Sequence, residues 1–412
     1  MQVTLEQVHD IVNSNDGNHN VHTTSFSKIQ STSYRCAFED SRFYDELTRH
    51  HGNSCTASQT CYHIALCDSD RSYLLLVSPL GSSGTATPPA PITLPALSTL
   101  LSKILDNTAV PVPRPVAHDV SGGEGKWDFG WLLLRVPNSS RTHPLTSSLA
   151  SVRPSLSPRQ LARVELRLGT HLRALHGITN DWFGIPMDKP TPDPLIVPTF
   201  TTLFTSQTGE GAEECGEDMT PYSWQDTFVL QLEELLEQVC GNANARKTVP
   251  SLDIDNLRLS LCRAMGSFLF DDVEMPRLIW VTGNEEDVIV SLNPGKDGGG
   301  TTHEEGAEAD IAYILPTFRR ALWGDPLMEA WFLPPGPTTA INEGYFDGEE
   351  DGTLIVLPRH KTKRTWYTVY LALLVLAEEV SQEGEVSNKE TVRWARSILP
   401  ECVEILKSAP CY

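Results

Sequence analysis

The chain has 412 residues, of which 40% are apolar and 21% are charged, a composition typical of a folded globular protein rather than a disordered or fibrous one. Its 53 acidic residues outweigh 32 lysines and arginines, and the resulting formal net charge of −21 repels phosphate backbones and anionic lipid surfaces. We therefore expect neither a nucleic acid nor a membrane among its partners.

The sequence also bears on the compartment. No segment is long and apolar enough to span a bilayer, and the first residues lack the basic start and apolar stretch of a secretory signal. The 9 cysteines form an odd set without a CxxC pair, which favours reduced thiols over a disulfide framework or a zinc site. These features predict a cytoplasmic protein.

Residues 1–131 predict a small β-rich unit that carries one helix. Within it, residues 61–66 and 73–77 are short apolar runs separated by a polar turn, which is typical of a β-hairpin. A loop rich in proline and glycine follows, and a short helix is predicted over 96–105, before the rigid prolines of 110–115.

The remainder of the chain changes to helical spacing. A buried strand is predicted at 131–136, residues 132–140 are expected to form a hinge, and residues 141–412 a larger helical unit. Its amphipathic or apolar stretches predict helices within 161–175, 228–239 and 366–380.

Three segments of this helical unit carry a specific resemblance. Residues 161–186 read LARVELRLGTHLRALHGITNDWFGIP, residues 222–236 read YSWQDTFVLQLEELL, and residues 320–332 read RALWGDPLMEAWF. They resemble segments of the aminoglycoside phosphotransferase and choline kinase-like family, in particular its fungal branch with an ALWGDP block. The resemblance implies an α+β, protein-kinase-like bilobal fold: a small β-rich N-terminal lobe with one helix, a large, mostly α-helical C-terminal lobe, and a nucleotide cleft between them.

The same resemblance locates the positions that carry phosphoryl transfer, and here their charged residues are replaced. Residues 276–290 (PRLIWVTGNEEDVIV) align without a gap to the block that holds the catalytic base and one metal ligand. Trp280 then occupies the position of its His, Thr282 that of the catalytic Asp, and Asp287 that of the Asn. A threonine hydroxyl is a poor general base near neutral pH.

The second metal ligand of the family is also replaced. Counting back from Asp325 in the ALWGDP block puts Thr317 at the position of the metal-binding Asp, with the cation Arg319 two residues later. Because Mg²⁺ prefers anionic oxygen ligands, we expect no metal site. ATP and Mg²⁺ are expected as cofactors only if the chain is an active kinase.

The phosphate-binding elements of the small lobe are changed as well. Residues 73–79 (YLLLVSP) align with the strand that carries the family's phosphate-binding Lys, which puts Leu76 at its position, and Leu97 falls near the place of its Glu partner. Losing both charges is physically coherent, since losing one would leave the other buried and unpaired. The glycine-rich phosphate cover is missing too, because residues 25–42 contain no glycine.

These replacements predict a kinase-fold protein that lacks ATP phosphotransfer and binds a small organic molecule in the cleft between the lobes. The resemblance to the fungal branch points to an accessory or repurposed tailoring role in a natural-product pathway. The candidate ligand-binding residues are Trp280, Thr282, Asp287, Thr317 and Arg319.

Two alternatives remain open. The first is an active ATP- and Mg-dependent small-molecule phosphotransferase with relocated metal ligands, either Asp310 through a shifted strand or Glu285 and Glu286 beside Asp287. The second is a pseudokinase scaffold that binds a protein partner.

Three other features have competing interpretations. His176, at a predicted helix end, is typical of a structural residue. Residues 358–364 (PRHKTKR) form a basic cluster, which is either a solvated helix start or an anion site. The tryptophans at 182, 224, 280 and 323 either line a pocket or pack in the core.

Overall fold

The structure is a computed structural model. It describes residues 3–15, 23–28, 60–66, 71–80, 92–121, 127–137, 146–186, 223–241, 252–281, 283–293, 308–315, 320–334, 336–347, 358–381 and 389–411. Three predicted site residues, Thr282, Thr317 and Arg319, lie outside the described residues.

A five-stranded antiparallel sheet forms the N-terminal lobe, in the order β1-β2-β3-β5-β4. Its strands are β1 (Thr23–Lys28), β2 (Thr60–Leu66), β3 (Ser72–Pro79), β4 (Arg114–Asp119) and β5 (Phe129–Arg135). The predicted hairpin is confirmed, because β2 and β3 pair with Tyr62 opposite Leu75. The predicted strand at 131–136 corresponds to β5.

Both faces of this sheet are covered, which explains why the central strands are apolar throughout. Alternate side chains such as Leu75 pack with helix α1 (Leu5–Asn15), which the sequence pattern did not predict. The side chains on the opposite face, such as Leu76, pack in the apolar cluster that includes helix α2 (Leu94–Asn107). Helix α2 confirms the helix predicted at 96–105. Thr93 caps α2 by accepting from the backbone N–H of Ala96.

The large lobe is mainly helical. Its helices are α3 (Leu149–Val152), α4 (Pro158–His176), α5 (Trp224–Gly241), α6 (Ile254–Gly266), α7 (Thr339–Phe346), α8 (Pro358–Ser381) and α9 (Lys389–Ser408). Five short strands complete it, β6 (Thr146–Ser148), β7 (Arg277–Trp280), β8 (Val288–Asn293), β9 (Glu308–Ile314) and β10 (Ala321–Gly324), in two sheets ordered β6-β8-β9 and β10-β7. The three predicted helices are confirmed as α4, α5 and α8.

Helices α4 and α7 approach each other so closely that glycine is required at their contact. A Cβ atom at Gly169 of α4 would lie 2.1 Å from the carbonyl oxygen of Ile341, and one at Gly344 of α7 would lie 1.9 Å from the carbonyl oxygen of Leu166. Both distances are far below van der Waals contact. The backbones of the two helices are therefore packed directly against each other.

Helix α2 ties the small lobe to the large lobe on one side. The Lys103 ammonium donates to the carbonyl oxygen of Thr179 at 2.9 Å and lies 4.6 Å from the ring centroid of Trp323. The backbone N–H of Ile314 also donates to the carbonyl oxygen of Pro111 at 2.8 Å. One apolar cluster extends from the sheet face that carries Leu76, through α2, to α4.

The proposed domain boundaries remain predictions. Strand β5 continues to Arg135, past the boundary at residue 131 and into the hinge predicted at 132–140. Within the described ranges, no helix combines the length and the apolar character that crossing a bilayer requires.

Helix α4 carries a histidine whose protonation opposes folding. Burial, with a smaller contribution from Arg167, lowers the pKa of His171 from 6.5 to about 4. The unfolded chain then binds the proton more readily than the folded one, so folding stability falls as the pH drops from about 6.5 to 4, by up to about 3 kcal/mol.

Urea unfolding at pH 7 and pH 4.5 measures this effect. We expect His171→Gln to lose less stability between the two pH values than the wild type, by about 2 to 3 kcal/mol. His118→Gln, at an exposed position of β4, is the matched substitution. An equal acid loss in wild type and His171→Gln would contradict the prediction.

Candidate functional site

The loop between β7 and β8 belongs to the segment 276–290, which the resemblance aligns with the family's block that holds the catalytic base. Asp287 closes a turn within it: its backbone N–H donates to the carbonyl of Asn284 at 3.2 Å, and its Oδ2 accepts from the backbone N–H of Asn284 at 3.3 Å. The Asn284 side chain in turn accepts from the backbone N–H of Glu286 at 2.7 Å. Asp287 has no exposed surface, so its carboxylate holds the turn together from inside.

The hairpin after this loop brings the next predicted segment beside it. Val288 of β8 pairs with Ile314 of β9, and the backbone N–H of Leu315 donates to the carbonyl of Asp287 at 2.8 Å. The chain thus passes Asp287 at Leu315, two residues before the predicted site residue Thr317, and the alignment of both segments with the family stays a prediction.

Asp310, the metal ligand of the shifted-strand alternative, lies further along this hairpin. It pairs with Ser291, and its Oδ1 accepts from the backbone N–H of Ile311 at 2.9 Å. The same oxygen is 3.9 Å from Nε of Arg167 on α4. The pairing of β8 with β9 therefore separates Asp310 from the turn of Asp287.

Glu285 is held in an ion-pair network. Its Oε2 lies 2.9 Å from Nε of Arg153, whose Nη2 lies 2.8 Å from Oε1 of the buried Glu165. Burial alone would lower the pKa of Arg153, but the two carboxylates raise it. Glu165 also accepts from the hydroxyl of Thr338 at 2.9 Å, so the network fastens the loop to α4 and to the start of α7.

These placements bear on metal binding. Across the part of the chain that the structure describes, no three His, Cys, Asp or Glu side chains are grouped so that they could hold a metal ion. Glu285, Glu286 and Asp287 are adjacent in sequence, yet the first is paired with Arg153 and the last is turned inward.

A fully buried carboxylate supports the loop from below. Oε2 of Glu329 accepts from the backbone N–H of Trp280 at 2.7 Å and lies 3.3 Å from Nε2 of His176, while Nδ1 of His176 lies 2.7 Å from the Tyr345 hydroxyl. A carboxylate accepts only, so Nε2 is the donor and Nδ1 accepts from Tyr345. Burial and then the charge of Glu329 raise the pKa of Tyr345, which keeps its hydroxyl proton.

This network confirms the structural interpretation of His176, and it contains a residue that sequence reasoning missed. Glu329 lies in the apolar run that follows the ALWGDP block, and a charged residue in such a run is the signal that could have revealed a buried acid.

The predicted tryptophans lie mostly in the core. Trp280, Trp224 and Trp323 are at most 3% exposed, and Trp182 is partly buried. Trp280 therefore presents no surface to a ligand in this structure, although it was predicted as a ligand contact. Its backbone is part of the loop support, and its ring packs in the apolar cluster that runs between the lobes.

On the small-lobe side, the two predicted replacement positions belong to one apolar cluster. Leu76, in the centre of β3, lies opposite Cys61 and Leu132, and is 5% exposed. Leu97, on the first turn of α2, is fully buried in the same cluster. Most of the glycine-free segment 25–42 lies outside the described residues, which include only its start in β1.

Asp325 of the ALWGDP block has a structural role. Its Oδ1 accepts from the backbone N–H of Leu327, and its Oδ2 accepts from the Tyr367 hydroxyl at 2.6 Å and lies 2.6 Å from Nζ of Lys363. Tyr367 in turn accepts from the indole N–H of Trp224 at 2.9 Å. The block is thus anchored to α8 and α5.

No protein-family model matches the chain, and no curated protein matches it. Solved structures do. A protein from Ralstonia eutropha JMP134 classed with the aminoglycoside phosphotransferases is 12% identical, with 99% of this chain and 100% of that chain covered and a TM-score of 0.50. A further neighbour is aminoglycoside phosphotransferase APH(2'')-Ib with bound ADP, which is 9% identical, with 97% of this chain and 99% of that chain covered and a TM-score of 0.48. Another is a Plasmodium vivax ethanolamine kinase, which is 10% identical, with 85% of this chain and 80% of that chain covered and a TM-score of 0.45.

The likeness to the Ralstonia protein extends over the whole length of both chains. It agrees with the sheet-and-helix small lobe and the helical large lobe described above. The chain therefore has the bilobal, protein-kinase-like α+β fold of the aminoglycoside phosphotransferases, and the predicted fold is confirmed.

Proposed function

We propose that this protein belongs functionally with the degenerate members of the aminoglycoside phosphotransferase and choline kinase-like family: it does not transfer phosphate from ATP, and it binds a small organic molecule between its lobes. The observation that carries the proposal is the burial of Leu76 and Leu97 in one apolar cluster. These are the positions at which the resemblance implies the Lys that holds the phosphates and its Glu partner.

The physical argument concerns charge. Phosphoryl transfer needs little covalent help and depends on positioning the phosphates and neutralising their charge. A leucine cluster offers no such cation, and the field of a chain with a net charge of −21 opposes a polyphosphate further. A cleft without such a cation favours an organic ligand of lower charge.

The active-kinase alternative has less support. It requires either Asp310, or Glu285 together with Glu286, to bind a metal beside Asp287, but Asp310 lies along the hairpin near Arg167, and Glu285 is paired with Arg153. Thr282, Thr317 and Arg319 remain the proposed ligand contacts. Asp287 was predicted as a contact too, but it is fully buried, so we propose that it supports the contact loop together with Trp280. A cytoplasmic location is part of the proposal, and it rests on the odd number of cysteines without a CxxC pair in the sequence.

Thermal unfolding with and without Mg-ATP tests the proposal. We expect millimolar Mg-ATP to leave the melting temperature unchanged, whereas a nucleotide at 100 times its dissociation constant would stabilise the protein by about 2.7 kcal/mol. We also expect no radiolabelled phosphate to pass from ATP to any acceptor in an extract. A Mg-dependent stabilisation that Asp287→Ala abolishes, or a labelled product, would refute the proposal.

Native mass spectrometry after incubation with a metabolite extract tests the second part of the proposal, the binding of a small organic molecule. We expect a small-molecule adduct that is weakened in Asp287→Asn. If the protein instead retains no small molecule and purifies with a stoichiometric protein partner, the scaffold alternative is correct.

A further inference from the structure

The basic side chains on the first two turns of α8 differ sharply in their partners. Arg359 and Lys363 are paired with Asp272, at 3.3 and 2.6 Å, and Lys363 also with Asp325. Arg364 makes no side-chain hydrogen bond or ion pair with any described residue, and its Nε atom is buried.

The surroundings of Arg364 form a partly enclosed site. Its side chain is half-buried, and a Cβ atom at Gly336 would lie 3.5 Å from its Nη2, so Gly336 lies directly beside the guanidinium. Gly336 has a φ of 97°, a conformation that favours glycine and leaves its backbone open to close approach. His360 lies one helical turn earlier on the same face, and its Nδ1 is buried without a hydrogen bond.

An unpaired, partly buried guanidinium is costly, because it has lost water without gaining a counter-charge. Burial correspondingly lowers the pKa of Arg364. The chain has 53 acidic residues, and neighbouring cations on the same helix are paired with two of them. Arg364 Nε and His360 Nδ1 instead have no hydrogen-bond partner.

We propose that Arg364 and His360, with the turn at Gly336, form a binding site for an oxyanion, the carboxylate or phosphate group of a small ligand. A guanidinium presents a planar fork of N–H donors that matches two oxygens of either group, and charge-assisted bonds of this kind are the strong ones. His360 supplies a further ring nitrogen from the same face. The proposal goes beyond the cleft ligand and does not depend on it.

Inorganic phosphate and acetate serve as probes, titrated separately against sodium chloride at constant ionic strength and pH, with the melting temperature as readout. We expect a saturable stabilisation by at least one probe, and the better probe identifies the preferred oxyanion. Arg364→Met should raise the half-saturating concentration at least about tenfold, and His360→Gln should raise it less. Arg396→Met, which removes an exposed charge from α9, should leave it unchanged within about twofold.

Arg364→Met removes an unpaired charge and keeps an apolar side chain, so we expect it to fold, which its melting curve without probes verifies. The proposal is overturned if neither probe gives a saturable shift beyond that of chloride. It is also overturned if Arg364→Met and Arg396→Met respond equally, since the effect would then be screening of the whole chain. Because ATP also carries phosphate groups, the Mg-ATP melting test of the cleft is repeated in Arg364→Met, which separates a shift at this site from one in the cleft.

Discussion

Replacing Gly344 by alanine is expected to destabilise the protein by about 3 kcal/mol or more, because the new methyl group would overlap the backbone of α4. Its Cβ would lie 1.9 Å from the Leu166 carbonyl oxygen, with the carbonyl carbon at 2.7 Å. Both are backbone atoms and have no rotamer by which to move away. The helices can accommodate the methyl group only by separating along their whole contact, which also loosens the attachment of His176 to Tyr345.

Chemical denaturation of Gly344→Ala and Gly169→Ala measures this effect, with Gly241→Ala as the matched control. Gly241 ends α5, and a Cβ there would meet nothing within 4 Å. We expect the control to be unchanged or more stable by about 0.4 to 1 kcal/mol, since alanine reduces the entropy of the unfolded chain. Equal stabilities of Gly344→Ala and Gly241→Ala would show that α4 and α7 are not packed backbone to backbone.

Glu329→Ala is expected to cost about 3 kcal/mol or more, and the damage should concentrate in the loop after β7. The substitution leaves the buried N–H of Trp280 without an acceptor, at about 1 to 3 kcal/mol, and adds a cavity beneath the loop. It also removes the partner of His176 Nε2. Hydrogen exchange should therefore accelerate at the Trp280 amide more than in α9.

Glu329→Gln separates the hydrogen bond from the charge. The amide oxygen of glutamine can still accept from Trp280 at nearly the same position, so we expect this variant to lose less than half of the stability that Glu329→Ala loses. If both variants are equally unstable, the negative charge rather than the acceptor holds the loop. If neither is destabilised, the assigned role of Glu329 is wrong.

Much of the fold could be predicted because its signals are local. The apolar spacing of α4 predicts a helix, and the structure adds the reason for its ends: Ser157 and Gln160 form a capping box at the start, and Gly177 lies at the end. The two short apolar runs of β2 and β3 around a polar turn similarly predict the hairpin. Helix α1 was missed because it is short and is stabilised by packing its apolar residues against the sheet face that carries Leu75. That face is formed by strands that come later in the sequence.

The candidate site was harder to predict, because the local sequence does not show whether a side chain faces a cleft or the core. An apolar run ending in Trp280 fits a cleft lining or a core strand equally well, and only the pairing of β7 with β10 shows that it is core. Asp325 and Glu329 lie four residues apart in one motif, yet they turn to different networks, one toward Lys363 and one toward Trp280. The assignment of Leu76 and Leu97 to the family's Lys and Glu positions came from the alignment of a single strand and helix, and it stays a prediction.

The attachment of Lys103 has a consequence for how the two halves of the molecule can move. Its ammonium joins α2 to the Thr179 carbonyl and to the Trp323 ring, at one edge of the boundary between the lobes. Any motion of the small lobe that keeps these two contacts has to leave α2 close to its place against the large lobe, so we expect α2 to move less than the rest of that lobe.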